Sequence, residues 1–380
     1  MSRAISDSRF VLVWNGASDS PPASGVRDYL LKQRARRVVT VVHPLQREDD
    51  PRHRLTVFER GERLSERGLP LPARPPFTYP LDTLIPPWPL RGDLWIGFNN
   101  LMAARGLVQR GFGLVDKVVY WAVDFVPDRF GRGLLTRIYD RVDATVTRRA
   151  DLQIDLSTAA LEGRRKRHGI APGGHVAPIG AWLDRLPTAS DDGWRSRRVI
   201  FLGHLVPRQG VGRMIDALEL LTKRGVEFEA EIAGRGPEEE ALKAQVARAG
   251  LADRVRFVGF LSDHREVEAF VAAASVAVAP YDTEVESFTR YADPSKLRSY
   301  TAAGVPVVLT DVPPNARQLA AEAGAEVVPY TAEGLADGID RALGPPEEWQ
   351  RRRAAALGYS KAFDWSVIVP EALDKVGFRP

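Results

Sequence analysis

Cysteine is absent from the 380-residue chain, which excludes disulfides, thiolate metal sites and cysteine nucleophiles and suits a reducing compartment. Long apolar runs are missing as well. Nothing approaches the roughly 20 residues that a membrane-spanning helix needs, and the opening MSRAISDSRFVLVW has no apolar stretch of the signal-peptide type. A cytoplasmic protein is therefore expected. Histidine is sparse: His43, His53, His168, His175, His204 and His264 show no H-x-x-x-H or similar ligand spacing, so no metal site is predicted. No G-x-S-x-G elbow and no Walker A loop occur either.

What is present is an ordinary apolar share, 44%, in a chain long enough for two domains of roughly 180 residues each. The net charge of +4 conceals an asymmetry. Residues 1–190 carry 29 Lys and Arg against 20 Asp and Glu, whereas the remainder carries 24 against 29. A basic first half suits an anionic membrane surface or a phosphate-bearing substrate, or reflects only an arginine-rich composition. The basic residues are scattered and not interleaved with aromatics, so nucleic acid is not expected.

Short apolar strands alternate with helices along both halves. Phe10–Trp14 reads as a strand, followed by the small-residue loop NGASDSPPASG and a helix from about Gly25 to Leu31. That loop lacks the G-x-G-x-x-G spacing of a dinucleotide site. Strands are also expected at Val38–Val42, Asp93–Gly97 and Lys117–Val123, with residues 44–90 mostly irregular around short strands because they are rich in Pro, Arg and Asp. Asp124 follows the last of these strands, either facing a cleft or capping the next helix. The tract RRKRHG, 164–169, reads as a solvated helix end in preference to an anion site. Thr188–Arg197 is polar and patternless. The domains expected are 1–187, a linker at 188–197, 198–359, and a C-terminal helical stretch, 360–380, packing back on the first domain. Repeated β-α alternation argues for an α/β fold with a doubly wound parallel sheet in each half.

One stretch of the second half stands out, YADPSKLRSYTAAGVPVVLT from Tyr291 to Thr310. A helix starting at Pro294, with Ser295 and Lys296 in its first turn, offers free backbone N–H groups and an ammonium, which together suit an anion. The same residues also fit an ordinary α/β unit in which Pro294 merely starts a helix.

In order along the second half, LGHLVPRQGVGRMIDAL, AGRGPEEEALK, VRFVGFLSD, VAVAPY and DPSKLRSYTAAGVPVV resemble the nucleotide-binding domain of GT-B glycosyltransferases, specifically the retaining family 4. YWAVDFVPDRF and RADLQIDLS in the first half resemble the acceptor domain of a branch of that family. The resemblance implies two Rossmann-like domains facing across a cleft. It also implies transfer of a sugar from a nucleotide diphosphate donor to a sugar, lipid-linked or aglycone acceptor, with no metal and no other cofactor. By the same resemblance, Arg208, Lys296 and Asp124 would be catalytic. Gly203, His204, Gln209, Gly210, Gly234, Arg235, Val258, Gly259, Asp293, Pro294, Ser295 and Ser299 would hold the donor, and Gly16, Ser24 and Gly25 the acceptor. Peripheral association with the inner face of a membrane would fit the basic first half.

Two departures from the family pattern matter. The family places Arg and Lys at the positions of His204 and Gln209, and Glu at those of Tyr291 and Ser299; the nearest acids here are Glu284 and Glu286. Arg208 and Lys296 are then the cations left to stabilise a leaving diphosphate, where one lost contact costs about 2 to 4 kcal/mol. Ser299 would hold a ribose hydroxyl as a neutral partner, more weakly than a carboxylate. A catalytically decayed sugar-binding protein, a nucleotide-sugar epimerase and a phosphorylase are the alternative readings.

Overall fold

The computed structural model describes residues 2–45, 52–72, 79–86, 89–285 and 287–380; Glu286 and parts of the proline-rich stretches before residue 90 lie outside that set. The chain divides into two compact units, Met1–Gly180 with Trp365–Pro380, and Ala181–Asp364.

The first unit runs through β1 (Arg3–Ala4), β2 (Arg9–Asn15), α1 (Ala23–Lys32), β3 (Arg37–His43), β4 (Arg52–Glu59), β5 (Glu62–Pro72), α2 (Tyr79–Asp82) and β6 (Gly92–Gly97). It continues with α3 (Asn100–Gly111), β7 (Val115–Ala122), α4 (Leu134–Arg149), β8 (Leu152–Asp155), α5 (Thr158–Arg167) and β9 (His175–Val176). Its eight-stranded sheet has the order β5-β4-β3-β2-β6-β7-β8-β9. The central strands β2 and β3 are apolar and buried along almost their whole length, as strands covered on both faces must be. The sheet is parallel from β3 to β9, and β4 and β5 add an antiparallel edge.

That edge corrects the expectation of mostly irregular structure over residues 44–90. Arg60 and Gly61 both have positive φ, 50° and 89°, the geometry of a tight two-residue hairpin turn, and they pair two strands whose charged residues had masked the pattern.

The second unit comprises β10 (Arg198–Leu202), α6 (Val211–Lys223), β11 (Glu229–Ala233), α7 (Glu239–Arg248), β12 (Val255–Gly259), α8 (His264–Ala272), β13 (Val276–Ala279) and α9 (Ser295–Ala302). β14 (Val307–Thr310), α10 (Ala316–Ala323), β15 (Glu326–Val328), α11 (Ala332–Ala342) and α12 (Pro346–Ser360) complete it. All neighbouring strands are parallel in the order β12-β11-β10-β13-β14-β15. This is a doubly wound sheet whose strand order reverses between β10 and β13, the place where such sheets bind ligands. The same reversal lies between β2 and β6 in the first unit.

Residues 188–197 are part of the second unit's body. Ala189 is fully buried, its N–H donates to the Ala303 carbonyl at 2.8 Å, and Gly193 packs on the Trp349 ring. The polar residues around them concealed a buried alanine and a glycine whose lack of a Cβ lets Trp349 pack close. After α12 the chain rejoins the first unit through α13 (Trp365–Asp374) and β16 (Phe378–Arg379), which pairs with β1 and sets Phe378 edge-on to Phe10 at 5.4 Å.

Candidate functional site

Three glycines close the carboxyl ends of adjacent strands in the second unit. Gly203 follows β10 with φ 149°, Gly234 follows β11 with φ 144°, and Gly259 ends β12 with φ 84°. They are tied laterally: the Gly203 N–H donates to Ala233 O at 3.0 Å and the Gly234 N–H to Gly259 O at 2.8 Å. A Cβ on Gly234 would stand 1.8 Å from the Gly203 carbonyl oxygen, so no side chain fits there. Gly210, with φ 68°, caps α6 without a side-chain hydrogen bond, and a Cβ on it would meet the Pro280 carbonyl at 1.8 Å. The result is an edge of bare backbone at the point where the strand order reverses.

Lys296 enters this edge from the first turn of α9. Pro294 occupies the cap position in extended conformation and offers no side-chain hydrogen bond, so the helix starts at Ser295. The Lys296 side chain is buried, and its Nζ lies 4.3 Å from the Phe201 ring centre and 4.6 Å from that of Tyr281. Nζ donates to Gln209 Oε1 at 2.6 Å, and a Cβ on Gly203 would be 3.5 Å away from it. Burial lowers the Lys296 pKa to about 7. Tyr300, one helical turn on, accepts a hydrogen bond from the Leu202 N–H at 3.0 Å and so locks α9 to β10. Phe201, on β10, and Tyr281, just past the end of β13, are the contributors that sequence reasoning missed. The only signal was their position at strand ends.

Arg208 lies in a single 3-10 turn, Pro207–Gln209, with its guanidinium 5.1 Å from the Phe288 ring centre. Its Nε is buried without a hydrogen-bond partner, so an acceptor arriving there would satisfy it. His204 is exposed, as is Arg235, whose guanidinium stacks 4.4 Å from the Phe260 ring centre, and Val258 is half-buried. Ser295 is exposed, and the Ser299 hydroxyl donates weakly to the Ser295 carbonyl at 3.3 Å. Glu284 is exposed, and Glu286 is outside the described residues.

Asp293 has a different task from the donor contact expected of it. It is buried; Arg298 Nε reaches both its oxygens at 3.1 Å and Asn315 Nδ2 donates to Oδ1 at 3.1 Å. Its carboxylate is committed to anchoring the start of α9, because a buried charge must be paired.

In the first unit Gly16 follows β2 with φ 120°, and its N–H donates to the His43 carbonyl at 2.8 Å. The Ser24 hydroxyl donates to Asp19 O at 2.8 Å. Gly25 is also a packing glycine: a Cβ there would stand 2.2 Å from the Trp365 ring of α13. Asp124 follows β7, is partly exposed and pairs with Arg129.

In the tract 164–169, Lys166, Arg167 and Gly169 are exposed, as a solvated helix end implies, but Arg164 is turned inward. Arg164 is buried and donates to Asp143 at 2.7 Å, to Asp155 at 3.0 Å and to the Asp124 carbonyl at 2.5 Å. Arg167 pairs with Asp128 and Asp140, and His168 with Asp143. Counting charges along the helix could not reveal acids supplied by α4 and β8. Paired this way, Asp143 titrates near 2, because Arg164, His168 and Tyr120 together outweigh the cost of its burial.

Residues 193–357 match the family model described as glycosyl transferases group 1. Two mycobacterial relatives are similar over part of the chain. The GDP-mannose-dependent alpha-(1-6)-phosphatidylinositol dimannoside mannosyltransferase of Mycobacterium tuberculosis is 28% identical over 179 residues, 47% of this chain and 43% of the relative. The phosphatidyl-myo-inositol mannosyltransferase of the same species is 30% identical over 205 residues, 52% of each chain. The chain thus spans about half the length of these curated relatives. Sucrose-phosphate synthase from Thermosynechococcus elongatus superposes with a TM-score of 0.69 at 17% identity, over 96% of this chain and 97% of that one. By fold the chain is a GT-B protein of two Rossmann-like units, and its residues 193–357 carry the match to glycosyl transferases group 1.

Proposed function

We propose that the protein is a retaining glycosyltransferase that moves a sugar from a nucleotide diphosphate sugar to an acceptor hydroxyl. The observation that carries this reading is the Lys296 ammonium at the strand reversal, held between Phe201, Tyr281 and Gln209 beside the bare backbone of Gly203. When the bond from the anomeric carbon to the diphosphate breaks, its electron pair goes to the departing phosphate oxygen. Lys296, Arg208 and the free N–H groups at the start of α9 stabilise that charge without a metal. The acceptor oxygen attacks from the face the diphosphate leaves, and its proton passes to a phosphate oxygen of the leaving group. Ser299 holds the donor ribose, Asp124 contacts the transferred sugar, and the loop from Gly16 to Ser24 meets the acceptor.

The acceptor we infer is a lipid-linked saccharide at the inner face of a membrane. Both mycobacterial relatives are named for phosphatidylinositol acceptors. In this chain Phe130, Leu134, Leu135 and Ile138 are exposed at the start of α4, where Thr136 and Asp143 face inward. Arg132, Arg137 and Arg141 are exposed around them. Exposed apolar side chains ringed by arginine suit an anionic bilayer surface.

The test is a panel of nucleotide diphosphate sugars assayed for release of nucleotide diphosphate, with and without lipid acceptors. Turnover of one donor, stimulated by an acceptor and retaining the anomeric configuration, supports the reading. Binding without turnover across the whole panel assigns a sugar-nucleotide binding protein instead.

A further inference from the structure

The first unit has its own polar cluster, at the carboxyl ends of β2 and β3 beside the strand reversal. His43 is the last residue of β3, His53 the second of β4, and Asp82 the last of α2. All three are buried, at 0%, 1% and 0% exposure. Their ligating atoms lie within 4.8 Å of one another. Nδ1 of His43 is 2.8 Å from Nδ1 of His53, which is 3.8 Å from Asp82 Oδ1. Spacing along the sequence does not bring these residues together, because they come from three elements.

The surroundings orient these groups. Asn99 Nδ2 donates to Asn15 Oδ1 at 2.6 Å, and Asn15 Nδ2 donates to Asp82 Oδ2 at 2.9 Å. The carboxylate is thereby gripped by one oxygen, and the other, Oδ1, is buried with no hydrogen-bond partner. Leaving such an atom unsatisfied is destabilising. One proton can bridge the two imidazoles, but it leaves Oδ1 unsatisfied. A cation between the three groups would engage Oδ1 together with the two facing imidazole nitrogens, while His43 Nε2 is a second buried atom with no hydrogen-bond partner. Arg105 is a positive neighbour of His43 and works against a cation; its guanidinium is engaged by the carbonyls of Ile85 and Pro86.

We propose that His43, His53 and Asp82 form a binding site for a divalent transition-metal ion of the zinc type. Two imidazole nitrogens and one carboxylate oxygen suit zinc better than the all-oxygen shells of magnesium or calcium. A hydrogen-bonded asparagine behind the carboxylate is the outer-shell support that such ligands need. The ion would tie β3, β4 and α2 together beneath the loop that begins at Gly16, whose N–H is held by the His43 carbonyl. The site is built wholly from the first unit and does not depend on the transfer reaction proposed above.

The experiment uses the full chain, stripped with a chelator and dialysed. Zinc is titrated against it while thermal unfolding is followed, bound metal is measured by elemental analysis, and Co(II) substitution is read by its visible d–d absorption. The expected result is one ion per chain, a raised melting temperature, and cobalt bands of a four-coordinate N/O site. Asp82→Asn should weaken zinc binding at least tenfold. Asn15→Ala should weaken it about tenfold through the outer shell, a readout that holds if the Asp82 variant fails to fold. A folded chain with no stoichiometric zinc and an unmoved melting temperature overturns the proposal. So does zinc bound equally well by the wild type and by the Asp82 and Asn15 variants.

Discussion

The Lys296 ammonium donates to the Gln209 side-chain oxygen at 2.6 Å, linking the first turn of α9 to the turn before α6 across 87 residues of chain. Where the family pattern supplies a second cation, this chain supplies a neutral acceptor. A single buried lysine is therefore shared between an internal amide and an incoming phosphate. Binding of a diphosphate would exchange the amide for a charged partner, a stronger one.

Lys296→Met should leave the protein folded and lower kcat/KM for the donor by about 100-fold to 1000-fold, the effect expected for losing one contact to a developing negative charge. Nucleotide diphosphate release under steady-state conditions measures it. Wild-type turnover in this variant would remove Lys296 from the mechanism.

The pKa of Lys296 also ties stability to pH. It is lowered from 10.5 to about 7 by burial, so between pH 7 and 10.5 the unfolded chain binds the extra proton. Stability contributed by this group therefore rises with pH across that window, at no more than about 1.4 kcal/mol per unit. Below pH 7 the penalty for burying the charge is complete, and there Lys296→Met should exceed the wild type in stability by the largest margin. Urea unfolding of both proteins at pH 6.5, 8 and 9.5 checks the sign.

Donor affinity should run the opposite way. A diphosphate favours the charged lysine, so its binding draws a proton from solution once the free protein is above pH 7. Affinity for a nucleotide diphosphate should fall by up to about tenfold per pH unit from pH 7 upward. Titration calorimetry in buffers of different ionisation enthalpy should show the proton uptake, and Lys296→Met should show neither effect.

Gly234→Ala should destabilise the second unit by about 2 to 4 kcal/mol. The new methyl group would collide with the Gly203 carbonyl, and the backbone at φ 144° is strained for any other residue. A lowered denaturation midpoint together with weakened nucleotide binding is the expected pair of results. An unchanged midpoint would mean that the strand ends are less tightly joined than described.

Arg164→Met should cost the first unit about 3 to 5 kcal/mol, because it leaves Asp143 and Asp155 buried without their cation. Because Arg164, His168 and Tyr120 hold Asp143 near a pKa of 2, the wild type keeps this contribution above the ordinary carboxylate pKa and loses it as pH falls toward 2. The variant should show a smaller loss over that acid range, as followed by near-ultraviolet circular dichroism.

The alternation of strands and helices was legible because it is local. Stretches such as RVVTVVH and VAVAP read as buried strands from their β-branched, apolar content, and glycines such as Gly203 and Gly234 mark strand ends. Lys296, Gly203, Gly210 and Gly234 were visible for the same reason, each standing in a strand-loop-helix sequence that limits its backbone. The hairpin of β4 and β5 was not visible, because arginines and glutamates on its exposed face broke the apolar pattern.

The surroundings of Asp293, Gly25 and Arg164 were not legible because their partners are distant in sequence. Asp293 is claimed by Arg298 and Asn315, Gly25 by a tryptophan 340 positions along the chain, and Arg164 by acids on α4 and β8. Phe201 and Tyr281 become the walls around Lys296 only because strand order places β10 beside β13. The amino-acid order alone thus specified most of the elements outside the β4–β5 hairpin, their parallel winding and the backbone freedom at strand ends, all of which arise from neighbouring residues. Which charges are paired, which lysine is desolvated and which histidines meet were decided by the tertiary fold, because burial and convergence depend on contacts between residues far apart in the chain.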